Sequence, residues 1–261
     1  MQQCIRFEDG DAYDRGMGPW SRLAGHTFLD WLSPRPGQRW LDVGCGTGAF
    51  TGLITERCAP AEVQAVDPSE GQLAMARKSH GAHYVGFHRA DAMALPFGPQ
   101  RFDVAVMALV IFFVPDPVKG VAEMARVVRP GGWVSAYAWD VLNGGFPFDP
   151  VWEEIRAAGV APLLPPNPSA GELQSLRRLW AAAGLEAIET REIVVTRTFS
   201  TFDDYWATST ITGGVRPTLD AMPPADRDKL KARARTRMCA DAQGRVVWSA
   251  RANAVKARVP D

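Results

Sequence analysis

A run of alternating glycines lies near the start of the chain, in the segment LDVGCGTGAF at residues 41–50. Apolar residues precede the glycines and a helical pattern follows them, so they connect a predicted strand to a predicted helix. Glycines let the backbone turn sharply and approach a ligand closely, and the free N–H groups at a helix start favour an anionic group. A simple turn needs fewer glycines. The segment therefore predicts a binding loop for a nucleotide-like ligand.

Three acidic residues accompany the predicted strand ends. Asp42 lies two residues before the first glycine, Asp67 closes the second predicted strand, and Asp91 follows the third. An ionised carboxylate accepts strong hydrogen bonds, for example from the hydroxyls of a ribose. Asp67 also lies at a helix start, where the helix dipole stabilises an acid, and these two roles are compatible. Asp91 can alternatively be a surface turn residue.

The glycine pattern also fits a second class of nucleotide site. Gly44, Gly46 and Ala49 satisfy the dinucleotide pattern G-x-G-x-x-G/A, and Asp67 follows about 20 residues later. A nicotinamide-dependent oxidoreductase therefore stays open as an alternative. Asp42 argues against it, because a dinucleotide site normally carries an apolar residue at that position.

The loop resembles the D/E-x-G-x-G-x-G motif of class I S-adenosylmethionine-dependent methyltransferases. Further segments of this chain resemble the same family in the same order, and together with the loop they cover residues 40–139. These segments are AVDPS at 65–69, ADAMALPF at 90–97, RFDV at 101–104 and VVRPGG at 127–132.

The resemblance implies S-adenosylmethionine as the cofactor. Asp67 would hold both ribose hydroxyls, Asp91 the adenine amino group, and Asp42 would lie near the amino acid part. Ala92 would reach the adenine ring through its backbone, and Cys45 would be a small filler. The complete set of expected cofactor contacts is Asp42, Gly44, Cys45, Gly46, Thr47, Gly48, Asp67, Pro68, Asp91, Ala92, Ala108 and Leu109.

The methyl acceptor is expected to be a small organic molecule bound between the first helix, the ends of strands four and five, and the segment before the last strand. By analogy with the fold, the candidate residues are Tyr13, Met17, Trp20, Phe112, Trp139, Tyr205 and Trp206. Aromatic walls exclude water, stack on a flat acceptor and tolerate a sulfonium charge. Ordinary core packing is an equal alternative for each of these residues.

No catalytic residue is assigned. Methyl transfer is an in-line displacement that depends mainly on positioning, so a dedicated base is optional. Small-molecule members of the family often carry a polar residue after strand four, whereas this chain has FFVPD at residues 112–116. A cofactor-binding module without catalysis therefore stays open as a second alternative.

These residues are positioned by strands that alternate with helices, which predicts βαβ units. The expected architecture is an α/β fold with a doubly wound, mostly parallel, Rossmann-like sheet of seven strands whose last strand is antiparallel. We expect one domain over residues 1–261, with a helical cap at 1–36, a cofactor-binding core at 37–140 and a lid insertion at 200–244. The predicted helices are 17–32, 50–58, 70–81, 117–128, 171–183 and 224–238, and the predicted strands are 40–43, 63–66, 84–89, 104–114, 133–139, 186–198 and 245–257.

The charge balance argues against a nucleic-acid partner. Lys plus Arg (29) equal Asp plus Glu (29), so no overall field attracts a polyanion or an anionic membrane. The predicted helix at 224–238 is locally basic, but Lys229, Arg233 and Arg237 form one stripe, which is typical of a solvated helix face. MALV at 107–110 also differs from the N/D-P-P-Y/F motif of nucleic-acid amino-methyltransferases.

The remaining patterns argue against a metal site, a membrane span and an oxidising compartment. Neither a cysteine nor a paired acid lies at ligand spacing from His80, His83 and His88. The apolar run at 104–114 is shorter than the roughly 20 residues that a membrane helix needs. The acidic N-terminus shows no signal peptide pattern. We expect a cytoplasmic location, since the cysteines at 4, 45, 58 and 239 contain no C-x-x-C pair.

Overall fold

The computed structural model of the protein describes residues 15–80, 85–161, 163–211 and 215–261. The strands are β1 (Arg39–Val43), β2 (Glu62–Asp67), β3 (Val85–Arg89), β4 (Phe102–Ala108), β5 (Val128–Trp139), β6 (Glu186–Phe199) and β7 (Val246–Arg258). The helices are α1 (Gly18–Leu32), α2 (Ala49–Arg57), α3 (Glu70–His80), α4 (Pro117–Val127), α5 (Asp149–Ala157), α6 (Leu173–Ala182), α7 (Phe202–Thr210), α8 (Arg216–Asp220) and α9 (Pro224–Arg237). Short 3₁₀ turns cover Ile111–Phe113 and Pro168–Gly171.

The strands form one sheet in the order β3-β2-β1-β4-β5-β7-β6. Strands β1 to β5 are parallel to one another, whereas β7 is antiparallel to both of its neighbours, β5 and β6. The predicted α/β sheet with its antiparallel last strand is therefore confirmed. Because β6 is antiparallel to β7, it again runs in the direction of β5, and its carboxyl end lies at the same edge of the sheet as the ends of β1, β4 and β5.

The central strands are buried on both faces, which explains their uninterrupted apolar sequences. Residues 104–107 of β4 and 40–43 of β1 are all buried. All of them are apolar except Asp42, which is buried although it is charged. Helix α1 buries Trp20, Ala24 and Phe28 on one face. The helix ends at Leu32. The next residue, Ser33, caps it in a left-handed conformation (φ +49°) and donates its backbone N–H to the carbonyl of Leu29.

The predicted insertion between β6 and β7 contains three helices, α7 to α9, of which only α9 was predicted. Its basic stripe is not simply solvated, which corrects the sequence-based interpretation. Arg233 and Arg237 of α9 form ion pairs of 2.8 and 2.5 Å with Glu154 of α5, a helix that the sequence analysis missed. Glu154 is buried, so these arginines fasten the insertion to the domain. Lys229 pairs with Asp226 at the surface.

Two features of the described residues bear on location. None of the helices in these ranges has the length and apolar character that a bilayer span requires. Cys45, Cys58 and Cys239 are all free thiols, and the first two are buried.

Substitution Glu154→Gln is expected to lower the free energy of unfolding by about 1–3 kcal/mol, because it removes the buried charge that two arginines share. Urea denaturation measures this change. The matched control is Asp203→Asn, which removes an acid that also holds α9, through Lys231 and Arg235, but in an exposed position. We expect the control to unfold like the natural protein, since exposed ion pairs contribute little. Equal effects of the two substitutions would contradict the role given to Glu154.

Candidate functional site

A cavity of about 560 Å³ lies at the carboxyl ends of the parallel strands. Its walls come from α1, the β1–α2 loop, the ends of β2 and β4, and one side chain of β5. The strand order reverses between β1 and β4, and ligands of open α/β sheets bind in the crevice at such a reversal. The cavity is therefore where this fold is expected to hold a ligand.

The glycine loop forms the floor of the cavity and needs glycine for steric reasons. Gly44 and Gly46 have φ angles of +80° and +56°, which other residues adopt only with strain. A Cβ at Gly44 would lie 2.5 Å from a methyl of Val110, and one at Gly46 would lie 2.8 Å from the side-chain oxygen of Gln72. Gly48 caps α2 in a left-handed conformation. The loop thus presents bare backbone to the cavity.

Asp67 joins the glycine loop to the neighbouring strand. One carboxylate oxygen accepts a hydrogen bond of 2.9 Å from the backbone N–H of Gly46, and the other accepts 2.8 Å from that of Ser69. The side chain is buried at the cavity wall, and burial raises its pKa, while the two backbone hydrogen bonds act in the opposite direction. Each carboxylate oxygen keeps a second lone pair for a ligand hydroxyl.

Asp42 is completely buried and only half satisfied. Its Oδ2 accepts a hydrogen bond of 2.6 Å from the Thr51 hydroxyl, whereas its Oδ1 has no hydrogen-bond partner. Desolvation is the main reason that its pKa rises to about 7, and the charge of nearby Asp67 adds to the rise. Asp42 also lines the cavity, so the site contains a buried carboxylate oxygen whose hydrogen-bonding capacity is unused.

Asp91 lies at the rim of the cavity. The sequence alone left two roles open for it, a ligand contact and a surface turn. Its side chain is exposed and accepts a hydrogen bond of 2.8 Å from the backbone N–H of Met93, which is a turn contact. Asp91 and Ala92 nevertheless both line the cavity. The two roles coexist in this structure.

The end of β4 contains a strained residue at the cavity wall. Leu109 has a φ angle of +64°, which is unusual for a side chain of this size. Its backbone N–H donates to the carbonyl of Tyr137 on β5 at 2.8 Å, which holds the strained conformation in place. Such strain is concentrated at functional sites.

The expected cofactor contacts and the cavity lining agree closely in position. All of the predicted residues except Gly48 lie along the wall, namely Asp42, Gly44, Cys45, Gly46, Thr47, Asp67, Pro68, Asp91, Ala92, Ala108 and Leu109. Burial strongly raises the pKa of the Cys45 thiol, which agrees with its expected role as a filler. That these residues bind a cofactor stays a prediction.

The expected acceptor contacts lie elsewhere. Tyr13 is outside the described residues, and the other candidates, Met17, Trp20, Phe112, Trp139, Tyr205 and Trp206, are absent from the cavity wall. Trp20, Trp139 and Tyr205 are buried in the core. The described lining instead includes neighbours of these candidates: Ser21, Arg22, Phe113 and Tyr137.

Tyr137 was missed although a signal existed. It lies two residues before Trp139 on β5, so the two side chains point to the same face of the sheet. Ser21 and Arg22 gave no signal, because they are polar residues next to the apolar stripe of α1. The sequence pattern does not tell which end of such a helix reaches a cavity.

No group of three or more metal-ligating side chains occurs within the described ranges. Of the three histidines that the sequence argued against as metal ligands, His83 lies outside these ranges, as does the side chain of His80. His88 contacts Gln64 at 2.5 Å through a ring nitrogen. The lining acids are Asp42, Asp67 and Asp91, and Arg22 is the basic residue among the described lining. The cavity therefore carries an excess of negative charge.

Comparison with known proteins matches residues 41–136 to the family model described as "Methyltransferase domain". A ubiquinone/menaquinone biosynthesis C-methyltransferase of Roseobacter denitrificans is 36% identical over 115 residues, which are 42% of this chain and 46% of that protein. The O-methyltransferase cnsE of Penicillium expansum is 36% identical over 166 residues, 62% of this chain and 57% of its own. The chain thus spans about half the length of these curated relatives.

Solved structures share the fold. A phosphoethanolamine N-methyltransferase 2 of Haemonchus contortus, in complex with S-adenosyl-L-methionine, superposes with a TM-score of 0.56 at 20% identity. The superposition covers 96% of this chain and 60% of that one.

Substitution Asp42→Asn is expected to stabilise the ligand-free protein by roughly 2–4 kcal/mol near pH 8. The folded pKa of about 7 lies above the ordinary 3.8, so the acid destabilises the fold as pH rises between these values. The amide keeps an acceptor for Thr51 and carries no charge. Urea denaturation at several pH values checks this, and the gain should shrink as the pH falls toward 5. A gain independent of pH would contradict the assignment.

Proposed function

We propose, on the premise that residues 41–136 belong to the class I S-adenosylmethionine-dependent methyltransferase family, that this protein transfers a methyl group to a small organic acceptor. The observation that carries the proposal is the pair of acids at the glycine loop. Asp67 holds the loop while keeping lone pairs toward the cavity, and Asp42 offers a buried oxygen without a partner.

The residues present fit S-adenosylmethionine. Its amino acid part carries an ammonium group, which satisfies an orphaned carboxylate oxygen such as that of Asp42. Its ribose carries two hydroxyls, which match the two carboxylate oxygens of Asp67. The bare backbone at Gly44 and Gly46 accommodates close contact with the ligand, and Asp91 and Ala92, which also line the cavity, are the proposed adenine contacts.

When bound, S-adenosylmethionine supplies a methyl group on a positively charged sulfur for an in-line displacement by the acceptor. The chain contributes position and environment to this reaction. The glycine loop and Asp67 fix one reactant, and the buried Leu109 and half-buried Phe113 limit the access of water to the other. The negative charge of the cavity favours a cationic ligand at the same place.

The acceptor is proposed to be small and partly apolar. Leu109, Phe113, Val114 and Tyr137 form an apolar wall with one hydroxyl group. The relatives named above are a C-, an O- and an N-methyltransferase, so the family resemblance leaves the accepting atom open. The free thiols of the described residues support the expected cytoplasmic location.

A nicotinamide-dependent oxidoreductase is disfavoured by charge. A dinucleotide places an anionic pyrophosphate at the glycine loop. Here the buried Asp42 lies directly before that loop, and desolvation makes its repulsion of a like charge costly.

Isothermal titration calorimetry with S-adenosylhomocysteine tests the cofactor site. Asp67→Ala should weaken binding at least tenfold, because charge-assisted hydrogen bonds to the ligand are lost. The control is Asp103→Asn. Asp103 forms ion pairs with Arg39 and Arg129 near the amino ends of β1, β4 and β5, and it is absent from the cavity wall. We expect the control to bind normally. Unchanged binding by Asp67→Ala would remove the ribose role.

Transfer of a labelled methyl group from S-adenosylmethionine to a panel of phenols, quinols and amines tests the reaction itself. We expect turnover with at least one acceptor class and loss of that turnover in Asp67→Ala. Cofactor affinity without turnover on any acceptor would favour the non-catalytic binding module. Tight binding of NADPH in place of S-adenosylhomocysteine would favour the oxidoreductase.

A further inference from the structure

A second group of polar atoms lies at the carboxyl end of β6, apart from the cavity lining. We call it the arginine–tryptophan cluster and define it as Trp20, Arg197, Phe199 and Trp248. Trp20 belongs to α1, Arg197 and Phe199 to β6, and Trp248 to β7. Arg197 and Trp248 are direct partners in the antiparallel ladder, so their side chains stand side by side on one face of the sheet.

The guanidinium of Arg197 lies against two aromatic rings. Its central carbon is 5.3 Å from the ring centre of Trp20 and 4.7 Å from that of Phe199. The rings of Trp20 and Phe199 are themselves 6.2 Å apart. Stacking of this kind fixes the plane of the guanidinium and leaves its N–H groups pointing outward in that plane.

These N–H groups lack acceptors. Nη1 of Arg197 and the indole nitrogens of Trp20 and Trp248 are all buried and have no hydrogen-bond partner. No carboxylate within the described ranges forms an ion pair with Arg197. Burial lowers the pKa of this guanidinium, and no acid opposes that effect. Three unsatisfied donors, one of them charged, therefore belong to this one cluster.

An arrangement of this kind is costly unless an acceptor completes it. A buried hydrogen-bond donor without a partner destabilises a protein, and a charged donor does so more strongly. The aromatic faces stabilise the charge of Arg197 but accept nothing from its N–H groups. Arg197 and Trp248 are partly exposed, which leaves a ligand an approach from solvent.

The cluster lies at the same sheet edge as the cavity. The carboxyl ends of β6 and β1 lie at one edge of the sheet, and Trp20 directly precedes Ser21 and Arg22, which line the cavity. Helix α1 thus connects the two places.

We propose that the arginine–tryptophan cluster is a carboxylate-binding subsite that anchors the methyl acceptor. A carboxylate accepts two parallel bonds from an arginine, and its remaining lone pairs suit the two indole N–H groups. The acceptor class is accordingly an organic acid with a flat or apolar body. This assignment rests on the proposed methyltransferase function, since it identifies the bound carboxylic acid as the acceptor.

Two-dimensional ¹⁵N NMR of the indole N–H signals tests the subsite with benzoate as the probe. The chain has nine tryptophans, and Trp20→Phe and Trp248→Phe assign the two signals of interest. We expect benzoate to shift both signals, and benzamide, which has the same shape without the charge, to bind at least tenfold more weakly. Equal shifts with benzoate and benzamide, or no shift with either, would overturn the proposal.

Variants separate the subsite from the cofactor site. Arg197→Met and the milder Arg197→Lys should both lose the preference for benzoate over benzamide, while calorimetry should find their affinity for S-adenosylhomocysteine unchanged. Arg191→Met, an exposed arginine on the same strand, is the matched control and should keep the preference. Retained preference in both Arg197 variants would overturn the subsite. Failure of the natural protein to bind S-adenosylhomocysteine would instead overturn the proposed function.

Discussion

The carboxylate of Asp67 is the constraint on which the site depends. It accepts one backbone hydrogen bond from Gly46 in the loop after β1 and another from Ser69 before α3. Two crossovers of the sheet are therefore fastened to each other at the point where the strand order reverses. The backbone N–H groups of Gly44 and Cys45 also donate to the carbonyl of Val66, so the Asp67 contact adds a side-chain bond to the backbone bonds that hold the loop against β2. In the proposed function, ligand binding and local folding use this same side chain.

Beside this glycine loop, the cavity contains a buried carboxylate that lowers the stability of the fold. Asp42 is buried, lacks a partner at one oxygen and titrates near neutrality instead of in its ordinary range. A protein selected for stability alone would satisfy or neutralise such a group. Its presence next to Asp67 is explained when a cationic ligand completes it. The backbone strain at Leu109 also costs stability. The hydrogen bond to Tyr137 holds this conformation, which a leucine does not favour by itself.

The parts of the site that depend on residues close together in the chain were predictable from the sequence. The glycine loop, Asp42 and Asp67 are determined by their neighbours along the chain, and the strand pattern indicated the topology that brings them together. The roof of the cavity was not predictable, because the positions of Ser21 and Tyr137 depend on how α1 packs across the sheet. Trp20 illustrates the difficulty, since an aromatic residue at helical spacing looks the same in a core as in a binding wall. The salt bridges of Arg233 and Arg237 were missed because α5, which carries their partner, was not predicted, although Val151, Trp152 and Ile155 lie at helical spacing.

The most direct measurement of the central claim is a crystal structure of the complex with S-adenosylhomocysteine. The account predicts both ribose hydroxyls within hydrogen-bond distance of the Asp67 carboxylate, with the contact between Asp67 and the N–H of Gly46 retained, and the ligand ammonium next to Oδ1 of Asp42. A ribose bound elsewhere, or an Asp67 carboxylate released from the loop, would contradict it.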